Sequence, residues 1–363
     1  MIELKELLRI AVERKASDVH IKAGAAPYFR IEGELAPYEG AEIFSREETV
    51  DLARRLLNSR QREILAKKSE IDVSFGVEGI GRFRLAIFQQ RGSVSMVLRS
   101  IVKEDRQMED LHLPSILREI ADATRGMILV TGISGAGKST TLAAMLQHIN
   151  STRRCHILTI EDPIEFLFED DRALITQREI ASDTIDFASA LRAALRQDPD
   201  VIMVGEMRDL ETVTTAMQAA ETGHLVMSTL HTADSVDTIR RVISMFPPNL
   251  QQDIRARFAS VLRAIVSIRL IKSSVSGRRI PAVEILRNTE LIHSLLLQQE
   301  RTKEILQALE KGHSQYGMQT FDQSILRHFQ DGLISAEDAL KNATSPEDMR
   351  LKMEGIVSSS EAV

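Results

Sequence analysis

The stretch MILVTGISGAGKST, Met127 to Thr140, decides how this sequence folds. Met127 to Val130 are apolar and make a short strand with no polar face. Gly132 to Ser139 then matches G-x-x-x-x-G-K-S, a loop that wraps phosphate. Behind it Leu142, Met145, Leu146 and Ile149 fall at i, i+3, i+4 and i+7, one face of a helix. Gly132, Gly135 and Gly137 let the backbone curl so that its N–H groups converge on phosphate oxygens at the helix N-terminus. Ser134, Ala136 and Thr140 belong to the same cradle. Lys138 is placed to reach the β- and γ-phosphates and the Ser139 hydroxyl to ligate Mg²⁺. Strand, loop and helix together predict an ATP and Mg²⁺ site.

Working outward, short apolar runs recur at Ile157–Ile160, Val201–Val204 and Leu225–Met227, with amphipathic helical stretches between them. That alternation predicts an α/β domain whose parallel sheet is covered on both faces. Ligands of such sheets lie at the carboxyl ends of the strands. Glu161 and Asp162 follow one strand and Glu206 follows another, so all three are candidates for the metal. Glu206, directly behind a hydrophobic strand, is the candidate catalytic acid for the attacking water. Either group could instead cap the next helix. A fourth strand ends in a polar cluster containing His231, with His224 just before that strand. A histidine here can report the γ-phosphate by a hydrogen bond, or be a satisfied structural residue. Cations that stabilise phosphoryl transfer are available within this domain at Arg192, Arg196 and Arg208.

Upstream lies a smaller α+β pattern. Leu4, Leu7, Leu8 and Ala11 have helical spacing, and strands are expected at Tyr28–Ile31, Glu70–Phe75, Arg82–Ile87 and Val94–Leu98. Period 2 puts Phe83, Leu85 and Ile87 on one face and Arg82 and Arg84 on the other, while Arg99 follows the last strand. These arginines either reach a nucleotide on a neighbouring domain or subunit, or form a solvated face. Val102–Leu111 is charged and aperiodic, a linker. After Ile280–Leu286 the chain becomes helical and polar, with helices expected near Thr289–Gln298, Thr302–Leu309, Met318–Phe329 and Ser335–Asn342. The expected boundaries are 1–101, a linker and connecting helix over 102–123, the nucleotide core over 124–287, helices over 288–357 and a disordered tail over 358–363.

Composition narrows the function. The 363 residues carry 46 Lys plus Arg against 52 Asp plus Glu, a formal charge of −6. With three Tyr, twelve Phe and no Trp there is little material for a base-stacking channel. A nucleic-acid translocase is therefore the weaker alternative, and no nucleic-acid partner is expected. Cys155 is the single cysteine, which excludes an internal disulfide and a four-cysteine zinc site. No apolar run is long enough to span a bilayer, and Met1–Ser17 alternates apolar and charged residues instead of carrying a signal core. A cytoplasmic protein is expected, held at a membrane only through a partner.

Ile157–Phe166 (ILTIEDPIEF), Arg196–Thr212 (RQDPDVIMVGEMRDLET) and Ala220–Thr232 (AETGHLVMSTLHT) resemble the Asp box, Walker B and His box of secretion ATPases. The resemblance is closest to the type IV pilus retraction ATPases, the PilT/PilU family. It extends to Ala16-Ser17-Asp18, Gly81–Phe88 (GRFRLAIF) and Gly317–Gln323 (GMQTFDQ), and so covers nearly the whole chain. It implies a RecA-like P-loop NTPase domain preceded by a small PAS-like domain, assembled as a homo-hexamer. The implied activity is ATP hydrolysis that powers pilus retraction, with an inner-membrane platform protein as partner at the pilus base. By position it implies Glu161 and Asp162 as the Asp box, Glu206 as catalytic acid, and His224 and His231 as His-box residues. Arg82, Arg84 and Arg99 become the N-terminal arginines that approach the nucleotide. The chain departs from the family at Ile133, where proline is usual, and at Leu291–Gln299 (LIHSLLLQQ), where retraction motors carry an AIRNLIRE-like stretch. Met96–Arg99 (MVLR) and Asp338–Leu351 (DALKNATSPEDMRL) look PilU-like, which makes an accessory ATPase assisting a second retraction motor the alternative.

Overall fold

The computed structural model describes residues 3–103 and 106–355. They fall into two units, residues 3–103 with 163–167, and 106–162 with 168–355. The expected tail over 358–363 lies outside the described residues.

The first unit runs α1 (Leu4–Glu13), β1 (Asp18–Lys22), β2 (Tyr28–Ile31), β3 (Glu34–Pro37), α2 (Arg46–Leu56), α3 (Ser59–Lys68), β4 (Glu70–Val77), β5 (Gly81–Gln90) and β6 (Ser93–Lys103). Its strands lie in the order β3-β2-β1-β6-β5-β4, each antiparallel to its neighbours. The expected period 2 holds: Phe83, Leu85 and Ile87 are buried against Leu7, Leu8 and Leu98. Burial of each such side chain stabilises the unit by about 1.5–3 kcal/mol. The other face is set by register, which lines up Arg30, Asp18, Arg99, Arg84 and Ser74 across five strands. Residues directly opposite share a face, so three arginines and one aspartate meet there. The last strand does not stop at Leu98 as expected but runs to Lys103, because β5 continues to pair with it as far as Ile101. It therefore takes up the first residues of the expected linker, of which 104 and 105 lie outside the described residues.

The second unit begins with α4 (Ile116–Ala121), β7 (Gly126–Thr131), α5 (Lys138–Thr152) and β8 (His156–Glu161). The short β9 (Phe166–Leu167) belongs to the first unit, where it pairs in parallel with β6. The second unit resumes with β10 (Leu174–Glu179), α6 (Phe187–Ala194), β11 (Val201–Val204), α7 (Leu210–Glu221), β12 (Leu225–Leu230), α8 (Ser235–Ser244), α9 (Gln251–Val261), β13 (Leu262–Lys272) and β14 (Arg279–Arg287). Helices α10 (Glu290–Leu297), α11 (Glu304–Lys311), α12 (His313–Tyr316), α13 (Phe321–Gln330), α14 (Ala336–Asn342) and α15 (Pro346–Met353) complete it.

Its sheet has the order β10-β8-β11-β12-β7-β13-β14. All neighbours are parallel except β13 and β14, so the expectation of a purely parallel sheet is corrected at one edge. A tight connection over 273–278 forces that pair to be antiparallel, since parallel strands need a long crossover. Along β7, Met127 and Leu129 enter one core while Ile128 and Val130 enter the other, so helices cover both faces. Helices α13 to α15 then bury Phe321, Ile325, Ala339 and Met349 against Ile271, Ile280 and Ala282 of the β13–β14 hairpin.

Candidate functional site

At the end of β7 the backbone turns at Gly132, where φ is +151°. A Cβ there would meet the Ile268 carbonyl oxygen at 2.7 Å and the Ala136 Cβ at 3.0 Å, so only glycine lets the loop pass β13 this closely. Gly137, at φ +95°, is the N-cap of α5, and Lys138 is the first helical residue. Ile133, Ser134 and Gly135 form the exposed crest of the loop, Ala136 is buried beneath it, and Ser139 and Thr140 are half-buried.

Lys138 is 7% exposed, and a buried ammonium needs acceptors. Its Nζ donates to the carbonyls of Gly132 at 2.9 Å and Ile133 at 3.1 Å, and lies 3.4 Å from His231 Nδ1. Strand order explains that last contact. β12 lies between β7, which leads into the loop, and β11, which leads to Glu206. The residue just past β12, His231, consequently sits between the two. Its Nε2 is 3.4 Å from Glu206 Oε1, and Arg208 Nε donates to Glu206 Oε2 at 2.8 Å. An ammonium can only donate, so Nδ1 of the neutral ring accepts from Lys138 and Nε2–H faces the carboxylate. The result is a line of polar contacts from Lys138 through His231 and Glu206 to Arg208, hydrogen-bonded at its two ends and closed in the middle by the 3.4 Å approach of His231 to Glu206.

Glu161, at the end of β8, is 7% exposed. Thr159 Oγ1 donates to its Oε1 at 2.6 Å and Gln177 Nε2 donates to the same oxygen at 3.1 Å. Sequence reasoning missed Gln177 because its strand, β10, is a polar edge strand without the apolar run that marks the others. Asp162, the next residue, is exposed.

His224 is not brought to this cluster within the unit. It precedes β12 while His231 follows it, and six strand residues at about 3.3 Å each put them about 20 Å apart, at opposite edges of the sheet. His224 instead bonds the Ala219 carbonyl through Nδ1 at 2.9 Å, at the C-terminal end of α7. Arg192 is committed to Glu211, and Arg196 Nη1 to the Arg192 carbonyl at 3.3 Å. Of the three cations named in this unit, Arg208 joins the line.

In the first unit, Arg99 Nε donates to Asp18 Oδ1 at 2.8 Å and Ser17 Oγ to Asp18 Oδ2 at 2.8 Å. Burial alone would raise the Asp18 carboxyl, but these bonds and the Arg99 charge overcome it and hold it below its ordinary value. Arg84 Nε lies 3.9 Å from Asp72 Oδ1. Asp18 was absent from the expected site residues; its signal is the cross-strand pairing Asp18↔Arg99, which needs the register.

Among the described residues no three His, Cys, Asp or Glu side chains converge on a metal-sized site. Mg²⁺ keeps several waters and binds through substrate phosphates plus one or two protein oxygens. The Ser139 hydroxyl and the carboxylates of Glu161 and Glu206 are donors of the right hardness.

The family model described as type II/IV secretion system protein matches residues 1–330. The chain belongs to that family. Among individual members it is 41% identical to the type IV pilus retraction ATPase PilT of Pseudomonas aeruginosa, over 96% of this chain and all of that protein. It is 39% identical to the type IV pilus ATPase PilU of the same organism, over 96% of this chain and 91% of that protein. Its fold is similar to the crystal structure of the pilus retraction motor PilT with bound ADP, with a TM-score of 0.87 and 42% identity over 96% of this chain and 99% of that one. The Legionella pneumophila ATPase DotB, at 27% identity over 98% of this chain and 96% of that one, is similar with a TM-score of 0.80. Within the type II/IV secretion family the likeness thus spans both units.

Proposed function

We propose that this chain is an ATP-hydrolysing motor of the type IV pilus machinery that powers retraction of the filament. The observation that carries the reading is the line Lys138–His231–Glu206–Arg208 beside a glycine loop that only glycine can build. Likeness to PilT along the whole of that relative supports the cellular role. The loop N–H groups and Lys138 hold the β- and γ-phosphates of ATP, which is the substrate. When bound, Mg²⁺ supplies charge neutralisation at those phosphates. Ser139, Asp162 and Glu161, the last kept in place by Thr159 and Gln177, would hold it. Glu206 orients and deprotonates the attacking water. His231 keeps the acid and the phosphate-binding lysine in one geometry, so a change at the γ-phosphate is felt at both.

Arg82, Arg84 and Arg99 approach the nucleotide from a neighbouring position in a homo-hexameric ring. The motor works at the cytoplasmic face of the inner membrane through a platform protein. Among the described residues no helix is long and apolar enough to cross a membrane. The 39% identity to PilU supports, less strongly, a second reading, an accessory ATPase that assists another retraction motor.

Glu206→Gln tests the centre of this proposal. The variant should bind ATP with Mg²⁺ as the wild type does and lose turnover by at least ~100-fold. Wild-type hydrolysis by that variant refutes the assignment. Deleting the gene and imaging pili should leave filaments that extend and do not retract; unchanged retraction favours the accessory role.

A further inference from the structure

Outside the nucleotide cradle, the first unit carries a cavity of about 570 Å³ whose charge is one-sided. Three cations from three different elements line it: Lys22 at the end of β1, Arg46 at the start of α2, and Arg91 in the β5–β6 turn. Ser45, Ser93 and Ser95 add hydroxyls, and no carboxylate lines it. In a chain of net charge −6 that composition calls for a reason. None of the three cations forms an ion pair among the described residues. The nearby Glu48 is turned to the Ser45 backbone N–H as a capping box and lines a separate cavity.

Two of the cations sit where local physics disfavours them. Arg46 is the first residue of an eleven-residue helix, so its charge meets the positive end of the helix dipole. Arg91 has φ +48° and Gly92 φ +73°, a two-residue turn whose first position favours Asn, Asp or Gly. A side chain in that left-handed conformation costs about 1 kcal/mol. Local rules are broken mainly where function compensates. Ser95, 4% exposed, forms the floor and donates to Gln90 Oε1 at 3.2 Å, leaving its own lone pairs as acceptors.

We propose that this cavity binds a phosphate group, with Lys22, Arg46 and Arg91 as the cations that neutralise it. Its volume falls in the range of small-molecule sites, about 300–1,000 Å³. The phosphate comes either on a soluble molecule or as the headgroup of an anionic lipid.

The full-length chain carrying Lys138→Ala, which disables the P-loop, is titrated calorimetrically with inorganic pyrophosphate. In parallel it is sedimented with vesicles of phosphatidylglycerol or of phosphatidylcholine. Saturable pyrophosphate binding without vesicle binding assigns a soluble ligand. Sedimentation with phosphatidylglycerol alone assigns a headgroup. In either case adding Lys22→Gln and Arg91→Gln should weaken binding at least about tenfold, as expected for losing charge-assisted hydrogen bonds. All three cations are exposed, so the substitutions leave the core intact, which a thermal melt confirms. The proposal is overturned if neither probe binds, or if binding is unchanged by the two substitutions.

Discussion

Replacing His231 with alanine tests whether the site works as a line or as separate residues. The ring makes two contacts, each 3.4 Å, one to the Lys138 ammonium and one to the Glu206 carboxylate. Both are long, so each is taken at the ordinary net worth of about 0.5–1.5 kcal/mol. Together they amount to about 1–3 kcal/mol, which at 1.36 kcal/mol per decade is roughly a 5- to 150-fold fall in kcat. Affinity for ATP should change little, because Lys138 keeps the Gly132 and Ile133 carbonyls as partners. Folding stability should fall by no more than the same about 1–3 kcal/mol, since the side chain is 46% exposed. The assay is steady-state hydrolysis by the full-length variant, beside a fluorescence titration with a slowly hydrolysed ATP analogue. A kcat within twofold of wild type refutes the reasoning. So does a loss expressed wholly as weaker nucleotide binding, because His231 would then act on the ground state alone.

Substitutions at two further positions probe groups that sequence inspection did not single out as site residues. Asp18→Ala should free the Arg99 guanidinium and lower turnover several-fold, whereas Asp18→Asn, whose amide oxygen still accepts the Nε–H, should retain most of it; equal damage from both denies Asp18 an orienting role. Because Arg99 is 66% exposed, losing the pair should lower stability by at most about 1 kcal/mol, read by urea unfolding. Glu284 is 4% exposed, and burial pushes its carboxyl up from 4.5 even though Ser235 donates to it from both N–H and hydroxyl. A carboxyl raised in the folded state favours folding below its unfolded value, and that contribution declines as pH rises. Glu284→Gln cannot titrate, so its melting temperature should gain on wild type as pH rises above about 4.5, the ordinary value for the group; a difference that stays flat with pH contradicts the buried-charge account.

How much of this was legible beforehand follows from which forces are local. The loop and its flanking strand and helix are written in consecutive residues, and so are the apolar runs of β8, β11 and β12. Their carboxyl-terminal residues Glu161, Glu206 and His231 could therefore be assigned to one edge of a sheet before any coordinates. The same directional rule, applied one step further, separates His224 from His231: a parallel strand carries its two ends to opposite edges, whatever box the pair occupies in a family pattern. β10 and β13 were invisible for opposite reasons. β10 is polar because it is an edge strand, and β13 mixes Arg263, Ser267 and Arg269 into its apolar run because it pairs with β14 in a hairpin whose register no local signal sets. Register likewise governs the arginine face. Period 2 put Arg82 and Arg84 together, but only the pairing of β1, β6 and β5 adds Arg99 to Arg84 and sets Asp18 against Arg99. A buried acid on an arginine row cannot be found by spacing along one strand, since its partner is 81 residues away and the ladder alone makes them neighbours.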